Sequence, residues 1–313
     1  MKVNITSSPH ITSSSSTQKI MLDVIIALMF PLIGGVYVFG VRALLVTIIS
    51  IIGAVLAEYV WDKLTKKDNT VSDLSAVVTG MLLAFCCPVS IPFWMILVGD
   101  VFAIIIAKQC FGGIGKNFIN PALAARAFML ASFPAAMTAW KVSMGCISGW
   151  DAVTSATPLA ANPGEYGYLT LFLGKNPGCI GETSVIMILL GAAYLVIQKV
   201  IDLKIPIAYL SSIALFTWIF GGEGFFSGDP LYAILSGGVM LGAFFMATDY
   251  TTSPISGKGK IIFGIGCGVI NGIIRIYGNL PEGVTYAIMV MNALVPFIDK
   301  FTLPKKFGRE AAK

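Results

Sequence analysis

Apolar residues dominate the chain in runs of roughly 15 to 20, separated by short polar connections. An α-helix of that length crosses a hydrocarbon core of about 30 Å. The pattern predicts an all-α integral membrane protein of about ten transmembrane helices, at 20–38, 43–60, 74–88, 92–107, 121–138, 184–200, 206–220, 231–247, 261–276 and 284–299. Pro88 and Pro92 interrupt one apolar region, so the third and fourth spans also admit a reading as a re-entrant pair. The rest divides into a polar tail (1–19), a polytopic membrane domain (20–302) and a second tail (303–313). Inside the membrane domain, the connection 139–183 runs to about 45 residues, a length that is usually functional. The first 19 residues are rich in Ser and Thr and hold no apolar stretch, which argues against a cleavable signal peptide.

Composition agrees with this reading. The chain is 56% hydrophobic and 12% charged, too apolar for a soluble domain of 313 residues. The net charge of +5 reads as a topology signal and not as an affinity for nucleic acid. With both termini in the cytoplasm, the inner segments hold Lys63, Lys66, Lys108, Lys116, Lys199, Lys204, Lys258 and Lys260 among others. The outer connections hold only Arg42, Lys141 and Lys175, with Arg275 near an outer end. The loop 139–183 is thereby expected outside the cytoplasm. Six cysteines without a CxxC pair and a single histidine, His10, leave no basis for a metal site or a Ser–His–Asp triad built from this chain alone.

Two connections on the inner side share a style. The first, 111–120, carries Gly112, Gly113, Gly115 and Lys116 and leads into Asn120-Pro121, a good helix start. Its glycines suit either a tight turn or a backbone phosphate cradle, but Lys116 is followed by Asn117, which breaks the P-loop pattern. The second, 245–260, has Asp249, a run of hydroxyl residues, Pro254, and Gly and Lys before the next span. The echo suggests a 5+5 inverted repeat.

Charges inside the spans are costly and therefore functional candidates. Asp100 lies near the middle of the fourth span, Arg126 about 8 Å into the fifth at 1.5 Å per residue, and Asp23 and Asp249 near inner ends. Asp100, with Asp23 or Asp249, is expected on a cation route. Arg126 is expected to pair with a carboxylate or a cofactor oxygen.

The outer loop contains Asp151-Ala152-Val153-Thr154-Ser155-Ala156-Thr157-Pro158. A threonine hydroxyl can hold FMN through a phosphoester, provided that the site is reachable and has room; Ala156 leaves that room. Read from its residues alone, Thr157 is more simply a solvated turn residue. The string resembles a flavinylation motif, with Asp151 at its first position, Thr154 at the hydroxyl position, Ala156 at the Ala and Thr157 at the acceptor, while Ala152 and Ser155 stand where that motif has glycines. The two inner motifs, Ser8-Pro9-His10 and Met21-Leu22-Asp23-Val24 extend the likeness over almost the whole chain. The chain thus resembles the family that comprises the D subunits of Rnf complexes and the B subunits of sodium-pumping NADH:quinone reductases. The short stretch before the first span is closer to the Rnf branch.

That resemblance implies covalent FMN on Thr157, with Trp150, Asp151, Thr154, Ser155, Ala156 and Arg126 as candidate surroundings, and a non-covalent riboflavin in the bundle. It implies a multi-pass protein of the bacterial cytoplasmic (inner) membrane, not catalytic alone, within a ferredoxin:NAD oxidoreductase that moves Na⁺ or H⁺. The partners it implies are an external flavoprotein subunit, small membrane subunits, cytoplasmic iron–sulfur subunits and membrane lipid. Two other classes fit the hydropathy equally: a secondary transporter or channel without flavin, and a scaffold without any cofactor.

Overall fold

A computed structural model describes residues 16–66, 70–142, 153–154, 157–159, 166–174, 176–222, 224–278 and 282–303. Five helices among them are long and apolar enough to cross a membrane. These are α1 (Thr17–Phe39), α2 (Val41–Thr65), the unit that begins with α4 (Phe93–Val101) and reaches Phe111, α12 (Gly257–Tyr277) and α13 (Val284–Thr302). Each corresponds to an apolar run in the sequence. Ser16 starts α1 by accepting from the Lys19 amide, so the helix begins inside the stretch expected as tail. Isoleucines and leucines such as Ile33, Leu45, Ile52 and Leu56 remain exposed on the outside of the bundle, as a lipid-facing surface requires.

The remaining apolar runs form shorter pieces. α3 (Ser75–Phe85), α5 (Pro121–Ser132) and α8 (Val185–Ile197) have 11, 12 and 13 residues, or about 16–20 Å of helix, too short to span. In the expected spans 74–88, 121–138 and 184–200 the regular helix is thus shorter than the apolar run, and after Phe133 a further helical turn, 134–137, continues the second of them. α3 stops at Phe85, and its freed backbone is satisfied from far away in sequence. The Gly181 amide donates to the Phe85 carbonyl (3.0 Å), the Ile180 amide to that of Cys87 (3.2 Å), and Pro88 and Cys179 form an antiparallel bridge. Irregular backbone at this depth is tolerated because it is buried in protein. Of the two segments flanking Pro88 and Pro92, α3 is short, while the unit after Pro92, reaching Phe111, is long and apolar enough to cross a membrane.

α9 (Lys204–Phe220) packs closely on α12 through Gly264, Gly268 and Gly272, spaced every four residues. α10 (Pro230–Leu235) is capped by the Asp229 carboxylate and separated by Gly237 (φ +66°) from α11 (Val239–Leu241), so the expected span 231–247 is broken. Short α6 (Pro134–Met137) and α7 (Tyr168–Leu173) lie at the Thr157 end, with a two-residue ribbon of β1 (Lys141–Val142) and β2 (Val153–Thr154) in register Lys141↔Thr154.

The echo between the inner connections has a structural counterpart. A π-helical stretch, Phe102–Lys108, precedes the first connection, and another, Gly242–Met246, precedes the second. Each connection ends in a side-chain cap: Asn120 for α5 and Ser256 for α12. The glycine-rich first connection is a tight turn. The amides of Gly112, Gly113 and Lys116 donate to Gln109, Lys108 and Gly113 carbonyls, and so are engaged within the turn.

Candidate functional site

Thr157 is buried, at 4% exposure, and among the described residues its hydroxyl has no hydrogen-bond partner. The sequence led to an exposed acceptor; the fold instead tucks the segment 157–159 against the broken span. The Tyr232 hydroxyl donates to the Pro158 carbonyl at 2.6 Å. A Cβ added to Gly237 would lie 2.7 Å from Leu159 Cδ1, so the glycine is what lets the loop approach. An orphaned buried hydroxyl costs about 1–3 kcal/mol. A group bonded to that oxygen would remove the unsatisfied donor, so the residue fits a phosphoester acceptor. Thr154 is placed by backbone only, in β2. Trp150, Asp151, Ser155 and Ala156 lie outside the described residues.

Arg126 lies deeper. Its Nη2 pairs with the Glu282 carboxylate and approaches Cys179 Sγ (3.6 Å), and its Nη1 stands 3.5 Å from Glu182 Oε1. Side-chain exposures are 6% for the arginine, 2% for Glu182 and 10% for Glu282. A carboxylate was one of the partners expected for Arg126, and two lie beside it. Both carboxylates escaped the sequence reading. Glu182 follows a glycine in the outer loop and Glu282 sits between α12 and α13, positions that resemble solvated turns until the chain folds inward. Cys179, with its Sγ 3.1 Å from the Cys86 carbonyl, is a free thiol. Together Cys179, Glu182 and Glu282 offer a thiol and two carboxylates within 4.8 Å of one another, with Arg126 supplying the counter-charge.

The three acidic candidates for a cation route are not brought together; each has its own partners. Asp100 is fully buried, accepts from the Ser50 hydroxyl at 2.7 Å and leaves Oδ2 without a partner. Gly53 makes room for it, since a Cβ there would lie 2.8 Å from Oδ2. Asp23 accepts from the Tyr194 hydroxyl at 3.1 Å. Asp249, in the second inner connection, accepts from Thr251 and Thr252 hydroxyls at 3.0 and 3.1 Å. Burial raises its carboxyl above the usual range, partly offset by those hydrogen bonds. Asp249 lines a cavity with Thr79, Asn117, Asn120, Phe244 and Phe245. A separate buried pair, Lys108 and Glu58 at 2.7 Å, joins the end of the α4 unit to α2; the same carboxylate oxygen also accepts from Gln109 and Thr70.

The NQR2, RnfD, RnfE family matches residues 4–308. The D subunit of a Na⁺-translocating ferredoxin:NAD⁺ oxidoreductase complex from Acetobacterium woodii is 51% identical, over 98% of this chain and 96% of its own. The D subunit of a proton-translocating ferredoxin:NAD⁺ oxidoreductase complex from Clostridium ljungdahlii is 46% identical, over 97% and 96%. The D subunit of an ion-translocating oxidoreductase complex from Stutzerimonas stutzeri is 36% identical, over 95% and 94%.

Proposed function

The chain belongs to the NQR2, RnfD, RnfE family, and from that premise we propose that it is a membrane electron-transfer subunit of an Rnf-type complex, carrying covalent FMN on Thr157. The complex couples ferredoxin:NAD electron transfer to the movement of an ion. Relatives that match over nearly their whole length are named as parts of such complexes, and their names divide between Na⁺ and proton, so the coupling ion is left as Na⁺ or H⁺. Catalysis belongs to the assembled complex. The other Rnf subunits are its partners, and the bacterial cytoplasmic membrane, with both termini inside, is its location. The asymmetry of lysines and arginines supports that orientation.

One observation carries the flavin assignment: the Thr157 hydroxyl is buried and, among the described residues, without a partner. A bound flavin supplies one- and two-electron redox chemistry. Thr157 would hold its phosphate, while Leu159 and Tyr232 fix the loop that bears it. A second, non-covalent flavin, riboflavin, suits the Asp249 cavity. Asn117, Asn120 and Thr79 line it, each already hydrogen-bonded within the protein, with Phe244 and Phe245 as apolar walls for a neutral ring.

Fluorescence of the denatured, purified protein tests the covalent site. With a flavin transferase co-expressed, the wild type is expected to stay fluorescent and Thr157→Ala to be dark. A dark wild type refutes the flavin reading and favours a transporter or scaffold. For the ion route, Asp100→Asn is expected to slow ion uptake into vesicles while the Ser50 hydrogen bond holds the fold. Unchanged transport and unchanged electron transfer would remove Asp100 from the route.

A further inference from the structure

Arg275, near the outer end of α12, is bound to the broken span beside Thr157. Its Nη1 donates to the Ala233 carbonyl (2.7 Å) and its Nη2 to that of Ser236 (3.0 Å), both at the C-terminal end of α10, where the span breaks. Capping accounts for those two donors, while Nε is shielded from solvent and has no partner. The Ser236 hydroxyl, on a fully buried residue, is also unpartnered. The segment that carries Thr157 reaches the same small space. A Cβ at Gly237 would lie 2.7 Å from Leu159 Cδ1 and 3.0 Å from Arg275 Nη2. Among the described residues, two buried donors without acceptors meet there, the Ser236 hydroxyl and Arg275 Nε, and Thr157, whose hydroxyl is likewise unpartnered, stands two residues before Leu159. On the other side, Glu182 Oε1 stands 2.5 Å from where a Gly238 Cβ would lie, but that carboxylate faces Arg126 as well.

Donors left unbonded beside a carboxylate that does not reach them suit an anionic acceptor with more than one oxygen. Glu182 is the carboxylate that acts on both Arg126 and Arg275, yet among the described residues neither of its oxygens accepts a hydrogen bond, so it does not satisfy Arg275 Nε or the Ser236 hydroxyl. A phosphodiester carries one negative charge and two non-bridging oxygens, and guanidinium binds such a group through paired N–H donors. We propose that Arg275 is the residue that holds the phosphate of the flavin on Thr157, with the Ser236 hydroxyl as its second donor. The assignment rests on the Thr157 reading and adds to it the groups that neutralise the attached phosphate. Arg275 is a positioning residue: it fixes where the flavin enters the bundle and offsets the cost of burying an anion near Thr157.

The experiment is a double-mutant cycle on the full chain, co-expressed with its partner subunits and a flavin transferase. Arg275→Gln is introduced into the wild type and into Thr157→Ala, with Arg275→Lys and Ser236→Ala alongside. Covalent flavin is read by in-gel fluorescence and stability by thermal midpoint. A phosphate clamp predicts at least a five-fold fall in covalent flavin for Arg275→Gln, partial recovery with Lys, and a thermal shift larger in flavin-loaded protein than in Thr157→Ala. If Arg275 only caps α10, the two thermal shifts are equal; that additivity overturns the proposal whatever the flavin yield. Absence of covalent flavin from the wild type itself is a different result. It overturns the Thr157 reading and the clamp with it.

Discussion

Replacing Arg126 by methionine removes the cation that faces two buried carboxylates, Glu182 and Glu282, whose side chains are 2% and 10% exposed. Methionine nearly fills the same volume, so the change is mainly electrostatic. Breaking a buried ion pair by deleting one partner costs about 3–5 kcal/mol, because the surviving charge is left in a low-dielectric site. Two carboxylates survive here, which places the expected loss at the upper end, about 5 kcal/mol. A compensated variant, Arg126→Met with Glu182→Gln and Glu282→Gln, leaves no charge behind. It should recover most of the loss, since neutral replacement of a buried ionic group is often close to cost-free. Reversible unfolding of the purified protein in mixed micelles, titrated with a denaturing detergent, measures both. A single variant within about 1 kcal/mol of wild type would refute the argument, given the magnitude expected for a broken buried pair. So would a triple variant as damaged as the single one, because the loss would then come from packing and not from charge.

Two further outcomes follow from the same geometry. Burial raises the Asp249 carboxyl, so the ionised form is disfavoured in the fold; stability contributed by the protonated group is present at low pH and is lost as pH rises from about 4, the ordinary carboxylate value, through the raised one. Asp249→Asn should therefore flatten the pH dependence of the thermal midpoint in that window, and an unchanged slope would argue against it. A Cβ at Gly268 would lie 1.8 Å from Ser212 Oγ and 2.7 Å from the Tyr209 carbonyl oxygen, which cannot retreat without moving α9. Gly268→Ala should cost about 1–3 kcal/mol by overpacking despite better helix propensity. Gly266→Ala meets only the flexible Met291 side chain and should be nearly neutral in the same unfolding titration.

Much of the architecture was legible in the sequence. The long apolar runs gave α1, α2, the α4 unit, α12 and α13, because hydropathy is a local property and a spanning helix satisfies its own backbone. The Asn120-Pro121 start was equally legible, since a cap involves only neighbours: the Asn120 side chain accepts from the Ala122 amide at 3.0 Å. Thr157 stood out by its motif, and Arg126 and Asp100 by their charge in apolar surroundings. Other features were decided only by tertiary structure. α3 ends at Phe85 because residues 179–181, nearly a hundred positions later, supply its missing partners. No local pattern announces such a pairing, so the point where α3 stops could not be read from the sequence. Glu182 and Glu282 looked like loop carboxylates until folding carried them to Arg126. Thr157 looked exposed until a glycine at 237 let its loop close on the broken span. Composition and periodicity determined which segments enter the membrane; the partners of buried charges and of interrupted backbone were determined by contacts between segments remote in sequence, which a one-dimensional pattern does not encode.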